Sequence, residues 1–449
     1  MAVMKNNQDH GLLHEHTTDE STHIIGENQK SSRFSLMMAW WGVCSAMFYI
    51  VVGVAMAQAY GTKNAIIGLL ITVVAYAILN GIISRYAIKT GLSVALFSRV
   101  LFGHTGAALA TLIFFATAIY YAVFEGSVIA AAFNHQFPSV AYWIGALIVV
   151  LYSVPLIFGS VQHWLDKFNG ILLPLYLLGL LGAVVYATME YGYNDAWLSM
   201  GPEEIPEYGW WNTAVYYMGV WILMMFTFDF ARFGKKEDST FHSVITFGIP
   251  FYLVSFVLAA LVGIYLVSIV PAETGALSET AAAVAFIDLM GFLGLIFVWI
   301  TQTRINTANF FLATTNMQAF FQETLKLDFS KYVWAVIVGI VVFLLMLIDV
   351  FAYLLQALAY QGIFVVAWVA IALAHILHPK REEYFGTIPE VRSDKLPALE
   401  FSGLIAWFVS SIAGVLIYHS SWGANWYATI TFFIAFFAYI ILLRVKFKG

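Results

Sequence analysis

Long apolar runs follow one another along this chain from Ser35 to Leu443, and short polar stretches separate them. A helical run of about 20 apolar residues matches the hydrocarbon thickness of a bilayer. The pattern therefore predicts a series of transmembrane helices. We count twelve such spans, at residues 36–58, 64–84, 106–133, 140–159, 168–189, 211–231, 242–270, 284–310, 332–348, 350–377, 401–418 and 426–443.

Composition supports the same class of protein. Hydrophobic residues make up 61% of the chain and charged residues 10%, whereas an ordinary soluble domain carries about 25% charged residues. So few polar residues cannot cover a soluble core. The chain is thus predicted to be an all-α polytopic membrane protein. Its one cysteine, Cys44, excludes an intramolecular disulfide and a multi-cysteine metal site.

The distribution of basic residues predicts the orientation. One set of loops and both termini carry lysines and arginines such as Arg85 and Lys331, while the opposite set carries only Lys63. The acidic loop at 190–209 belongs to that second set. Because cytoplasmic loops are enriched in lysine and arginine, we expect a multi-pass protein of the plasma (inner) membrane with both termini cytoplasmic.

The chain can be divided into two halves of five spans each. No extramembrane piece is long enough for a soluble catalytic domain, and the spans hold no HExxH motif or paired catalytic carboxylates, so the chain is not expected to be an enzyme. The predicted units are a disordered cytoplasmic tail (1–32), a first five-helix repeat (33–190), an external acidic loop (191–210), a second five-helix repeat (211–378), a cytoplasmic loop (379–400), and two C-terminal helices with a short cytoplasmic tail (401–449).

The first span of each half contains small residues. Residues 42–46 of the first span read Gly-Val-Cys-Ser-Ala, and the sixth span holds Gly219 and Trp221. Many transporters consist of two inverted repeats in which the first helix is interrupted at the midplane, where free carbonyls hold a cation and free amides a substrate. Small residues also mediate simple helix packing, and the sequence leaves both interpretations open.

Polar groups within the spans are the stronger signal, because an unpartnered ionisable group in hydrocarbon costs at least ~2.5 kcal/mol. Glu125 lies in the third span. In the eighth, Thr303, Asn306 and Thr307 share one helical face, and their oxygens suit a sodium ion. Arg304 could substitute for that ion if it points into the same space. Alternatively, the cluster only makes interhelical hydrogen bonds. We interpret Asp229, Arg232 and Asp349 as polar residues at helix ends.

Aromatic residues near the middle of the spans supply a candidate pocket. Tyr120 lies in the third span and Trp221 in the sixth. A flat heterocycle is well held between two rings, with polar groups at its edges. Most aromatic residues in membrane proteins serve packing or the interfacial belts, so this assignment is a hypothesis.

Three stretches resemble the nucleobase–cation symporter family, nearest its purine and cytosine permease branch. They read AIKTGL at 87–92, continuing through Ser98-Arg99 to Phe102-Gly103, then TFDFARFG at 227–234 and QTRINTAN at 302–309. With twelve spans at similar spacing, the resemblance covers nearly the whole chain from Ser32 onward.

The resemblance implies a fold of twelve transmembrane helices, built as a five-plus-five inverted repeat with two additional C-terminal helices. It implies a substrate stacked between rings at Tyr120 and Trp221, with Thr117 one turn before Tyr120. Two departures are notable: the third-span ring is usually Trp preceded by Gln, and Glu125 is not part of the family pattern. The resemblance implies sodium ligands at Gly42, Ser45, Asn306 and Thr307. Together with the polar and small residues noted above, the predicted substrate residues are Tyr120, Trp221, Thr117, Glu125, Gly219 and Asn309, and Thr303 joins the predicted sodium ligands.

The predicted function is a secondary-active symporter that imports a nucleobase or related small heterocycle by alternating access, coupled to sodium. We expect no cofactor besides the co-transported ion. The expected partners are the small-molecule substrate and the lipid bilayer, with no nucleic acid polymer. The alternative is a proton-coupled or uncoupled transporter of a different small substrate, such as a vitamin-like or cationic amine compound, that uses Glu125. Burial favours the neutral, protonated form of a carboxyl group.

Overall fold

The computed structural model describes residues 23–158, 160–271, 281–348, 351–421, 423 and 425–447, with the backbone alone at 160–171. Most of the predicted tail and Asp349 lie outside these residues. Every regular element in the described part of the chain is helical, which confirms the predicted all-α class. Each of the twelve predicted spans corresponds to helical structure in the described ranges.

The first five predicted spans correspond to seven helices. The first span is split in two, and a short additional helix follows the second span. The helices are α1 (Arg33–Trp41), α2 (Phe48–Tyr60), α3 (Thr62–Thr90), α4 (Val94–Phe102), α5 (Ala108–Gln136), α6 (Tyr142–Leu156) and α7 (Ser160–Tyr191).

The later spans include two irregular helices. The sixth span has a 3-10 turn at Met218–Trp221, and the seventh contains π-helical turns at His242–Thr246 and Leu253–Leu258. The α-helices are α8 (Gly209–Tyr217), α9 (Ile222–Ala231), α10 (Ser239–Phe241), α11 (Ile249–Tyr252), α12 (Ala259–Ile269), α13 (Ala281–Met290), α14 (Phe292–Leu325), α15 (Lys331–Met346), α16 (Leu354–Leu377), α17 (Arg381–Phe385), α18 (Phe401–Tyr418) and α19 (Tyr427–Lys446).

Eight helices in the described residues are long and apolar enough to cross a membrane, or nine if the bent pair α1 and α2 is one span. The helices α6 and α15 are apolar but shorter. The 34-residue α14 is long enough, but polar residues between Thr301 and Asn309 interrupt its apolar character. Of these polar residues, Gln302 and Arg304 contact the first span and Thr303 contacts α6, while α14 as a whole packs against α5.

The predicted bounds of the eighth span, 284–310, are wrong. The chain turns at Gly291, which has a φ of +56°, and this turn separates the short helix α13 from α14. A residue with a side chain rarely adopts such a φ. The apolar pattern continues through the turn, so periodicity alone could not reveal it.

The first span is interrupted, which is one of the two interpretations that the sequence leaves open. A 3-10 turn at Gly42–Ser45 ends in Ala46, whose backbone is extended, and α2 leaves at an angle of 47° to the preceding segment. We call residues 42–47 the first-span break. The sixth span keeps helical backbone angles through its 3-10 turn, so it is interrupted less than the first span.

Contacts place residues near both chain ends on one face of the protein. Lys30 Nζ lies 3.5 Å from the carbonyl oxygen of Ile88, and the neighbouring Lys89 pairs with Glu382 at 2.9 Å. The loop that follows Glu382 ends near Lys446, because Lys446 Nζ lies 2.5 Å from Glu400. The assignment of this face to the cytoplasm stays a prediction from charge.

Glycines allow close helix packing at several crossings. A Cβ on Gly53 of α2 would lie 2.3 Å from the Cβ of Ala260 in α12, and a Cβ on Gly219 would lie 2.3 Å from the carbonyl oxygen of Leu358 in α16. These distances are too short for a side chain. Small residues are commonly used at such crossings in membranes, so the packing interpretation fits Gly53 and Gly219.

We predict that Gly53→Ala destabilises the protein by about 1–3 kcal/mol, because the added methyl group overpacks the contact between α2 and α12. Gly182→Ala is the matched control, since nothing lies within 4 Å of a Cβ at Gly182. Thermal unfolding of the detergent-purified variants would measure the difference. Equal melting temperatures for the two variants would contradict the close contact.

Candidate functional site

The first-span break leaves backbone groups without their helical partners. Ala46 is extended, so carbonyl groups end the first half of the span, and the amide groups of Met47 and Phe48 begin the second half. Within a bilayer, each such group needs a partner inside the protein. Side chains from α14 and α5 supply several of these partners.

Gln302 of α14 bridges the two halves of the span. Its Oε1 accepts a hydrogen bond from the amide of Met47 at 3.2 Å, and its Nε2 donates to the carbonyl oxygen of Ser45 at 3.4 Å. Nε2 also donates to Thr301 Oγ1 at 3.0 Å. A carboxamide suits this position because it carries both a donor and an acceptor. Gln302 is fully buried.

Arg304 reaches the carbonyl end of the first half. Its Nη1 donates to Ser45 Oγ at 3.0 Å, and Ser45 Oγ donates to the carbonyl oxygen of Gly42 at 3.1 Å. A Cβ on Gly42 would lie 1.7 Å from Arg304 Nη2, so only glycine permits this approach. A cation here is favourable, since the C-terminal end of a helix carries a partial negative charge.

Glu125 of α5 lies at the amide end of the second half. Its carboxyl group is within hydrogen-bonding reach of the Phe48 amide. Its Oε2 has no hydrogen-bond partner in the described part of the chain, although the residue is 1% exposed. An acidic group is favourable at this helix N-terminus. Four tyrosines lie close enough to interact electrostatically with Glu125: Tyr49, Tyr120, Tyr121 and Tyr176.

The predicted sodium ligands of the eighth span have different environments. Asn306 is fully buried, and neither its Oδ1 nor its Nδ2 has a hydrogen-bond partner among the residues that the structure describes. Thr307 Oγ1 donates to the carbonyl oxygen of Thr303 at 2.8 Å within the same helix. Thr303 Oγ1 lies 2.8 Å from the hydroxyl of Tyr152 in α6, which turns Thr303 towards the fourth span. Their role as ligands stays a prediction.

The predicted substrate residues also differ in their surroundings. The ring of Tyr120 contacts Tyr121 at a centroid distance of 5.5 Å, and its buried hydroxyl has no hydrogen-bond partner within the described ranges. Trp221 instead contacts Tyr76 of α3 and Phe432 of α19 at 6.2 and 5.8 Å. The two rings thus have different neighbours. Thr117 is buried and Asn309 half-buried, and Gly219 packs against α16.

A different pair of rings joins the third and sixth spans. Phe114 of α5 stacks on Phe226 of α9, with centroids 5.2 Å apart and an interplanar angle of 21°. Sequence reasoning did not identify this pair, and it also gave no role to Gln302. The polar run 302–309 indicated that Gln302 could have a role within the membrane, but the sequence does not indicate which backbone groups its side chain contacts.

An apolar pocket of about 150 Å³ lies away from the break, between the C-terminal end of α5 and the N-terminal end of α14. Phe133, Phe137 and Trp299 line it together with aliphatic side chains of α14. This pocket lacks the polar groups that a specific binding site needs. We therefore base the candidate site on the break and its polar neighbours.

The chain shares its fold with solved transporters. It aligns with Mhp1, described as a nucleobase-cation-symport-1 family transporter in a closed conformation with bromovinylhydantoin bound, at a TM-score of 0.73 and 15% identity over 95% of each chain. It aligns with a Na⁺-coupled sialic acid symporter at 0.62 and 13% identity, covering 91% of this chain and 90% of the other. For the manganese transporter of Eremococcus coleocola the TM-score is 0.52 at 12% identity, over 95% and 97%.

No protein-family model and no curated protein matches the chain by sequence. At such low identities the structural likeness establishes the fold alone. The fold is that of a polytopic membrane transporter. It is shared over nearly the whole length with Mhp1, which confirms, at the level of the fold, the resemblance identified from the sequence.

We predict that Gln302→Met lowers the stability of the folded protein by about 1–3 kcal/mol, because the break loses its bridging hydrogen bonds and leaves buried backbone groups unpaired. Gln318→Met is the matched control on the same helix, where the side chain bonds at an exposed site. Thermal unfolding in lipid nanodiscs would compare the two variants. A Gln302→Met protein as stable as the control would contradict the bridging role.

Proposed function

We propose that this protein is a cation-coupled symporter that imports a nucleobase or a related small heterocycle across the plasma (inner) membrane by alternating access, with both termini cytoplasmic. One observation carries the proposal. The first span is broken within the helical bundle, and the buried Glu125 at the amide end of the break has a carboxyl oxygen without a hydrogen-bond partner among the described residues. The buried amide of Asn306 in α14 likewise has no partner in that part of the chain. Buried intramembrane polar groups of this kind mark substrate and ion pathways, and broken helices form the binding sites of many transporters.

The chemistry of the surrounding side chains supports a small, flat substrate. Tyr120 and Tyr121 lie within electrostatic range of Glu125, and aromatic faces hold a heterocycle by stacking. The Tyr120 hydroxyl and the Asn306 amide can donate to or accept from the edge of such a ring. Mhp1, a protein of the same fold, has been seen with bromovinylhydantoin bound, which adds support for a heterocyclic substrate.

Two cations are candidates for coupling. Sodium follows from the resemblance and from the description of the sialic acid symporter as Na⁺-coupled. Its proposed ligands are Gly42, Ser45, Asn306, Thr307 and Thr303. The second candidate is the proton, favoured by the unpartnered Oε2 of Glu125. In this form of the proposal, Glu125 takes up a proton on one side of the membrane and releases it on the other.

We expect nucleobases or related heterocycles to raise the melting temperature of the purified protein. A ligand that binds only the folded state at about 100 times its dissociation constant adds about 2.7 kcal/mol to the free energy of unfolding. The measurement is a thermal-shift panel of purines, pyrimidines, hydantoins and cationic amines. Stabilisation by amines alone would contradict the heterocycle as substrate, and so would silence across the panel at soluble concentrations.

The proton variant predicts a specific effect of Glu125→Gln in proteoliposomes. A gradient of about one pH unit can drive about tenfold accumulation for each coupled proton, and the variant should lose this accumulation because its amide cannot titrate. It should still exchange substrate across the membrane in counterflow, which needs no net proton movement. Glu190→Gln, at an exposed acid near the end of α7, is the control. Full accumulation by Glu125→Gln in a pH gradient would exclude Glu125 as the proton carrier.

A further inference from the structure

The interrupted first span presents two opposite partial charges to the middle of the protein. The segment that ends at Ser45 terminates in carbonyl groups, whereas α2 begins with the amides of Met47 and Phe48. Each end corresponds to about half an elementary charge, which is negative at the carbonyl end and positive at the amide end. In a transporter, a cation placed at such a carbonyl end neutralises it.

In this chain a side chain already supplies that cation. Arg304 Nη1 lies 3.0 Å from Ser45 Oγ, and its Nη2 occupies the space directly above Gly42, where a Cβ would approach to 1.7 Å. A guanidinium group is always protonated in proteins. The positive charge at this end of the helix is therefore permanent.

The same contacts use the oxygens that a sodium ion would need. Ser45 Oγ accepts a hydrogen bond from Arg304 and donates its own proton to the carbonyl oxygen of Gly42 at 3.1 Å. The carbonyl oxygen of Ser45 accepts from Gln302 Nε2 at 3.4 Å. A sodium ion here would have to displace these bonds. It would also lie beside the positive charge of the half-buried Arg304, which would repel it.

We propose that Arg304 is a resident substitute for the coupling sodium ion, so that the protein binds no sodium at the first-span break and transports its substrate without it. This inference rests on the proposed function for its statement about transport, and it assigns coupling to the proton on Glu125. Arg304 acts as a positioning residue. It holds the carbonyl end of the break, and Glu125 and Gln302 hold the amide end.

The test measures binding of radioactive sodium to purified protein without any organic substrate. Wild type should show no saturable binding. Arg304→Ala removes the hydrogen bond from the guanidinium to Ser45 Oγ and opens the space above Gly42. It should bind sodium at least about tenfold more tightly than wild type, equivalent to about 1.4 kcal/mol. Arg304→Lys keeps the charge and should behave as wild type.

Uptake gives the second readout. In proteoliposomes, replacing sodium by N-methyl-D-glucamine should change wild-type uptake by less than about twofold. An ion that binds no state of the transporter cannot shift its conformational equilibrium. Uptake by Arg304→Ala should instead become sodium-dependent. If that variant does not fold, sodium binding and uptake by the wild type still test whether the protein works without sodium.

The outcomes separate the two proposals. Saturable sodium binding by wild type, or uptake that requires sodium, would overturn the role of Arg304 and leave the symporter proposal intact. Failure to take up any heterocycle would count against the proposed function. In that case, sodium binding by Arg304→Ala but not by wild type would still support Arg304 as the resident cation.

Discussion

A helix that breaks inside a bilayer must find partners for the backbone groups it exposes. This requirement governs the arrangement of the present protein. The first span breaks at residues 42–47, and three side chains meet it: Arg304 at the carbonyl end, Gln302 across the gap and Glu125 at the amide end. In hydrocarbon, each unsatisfied backbone group would cost several kcal/mol. The polar character of α14 follows from this need.

The same constraint links the candidate site to the packing of the bundle. The helices α5 and α14 lie along each other, and they bring Glu125 and Arg304 to opposite ends of one break. Glycine at position 42 allows the guanidinium to approach the backbone, whereas Gly53 and Gly219 serve helix crossings. A movement of either helix would change the contacts at the break. Structure and proposed transport therefore depend on one set of residues.

Much of the fold could be predicted from the sequence, because apolar runs of bilayer length and small residues within the first span are direct physical signals. The chain turn at Gly291 could not, since the apolar pattern continues through it. Rotation of a helix about its axis is also hidden when most of its faces are apolar. For this reason the sequence could not indicate that Trp221 contacts rings of the second and twelfth spans. The partners of Gln302 could not be predicted from the sequence either, because a carboxamide can pair with almost any backbone group.

The most direct test of the first-span break is an experimental density map of the protein in sodium-containing lipid nanodiscs. We predict continuous density from the Arg304 side chain to the space between Gly42 and Ser45, with Gln302 bridging Ser45 and Met47. An ion held at this position by backbone and side-chain oxygens, with Arg304 turned elsewhere, would contradict the structure proposed for the break and the assignment of its charges.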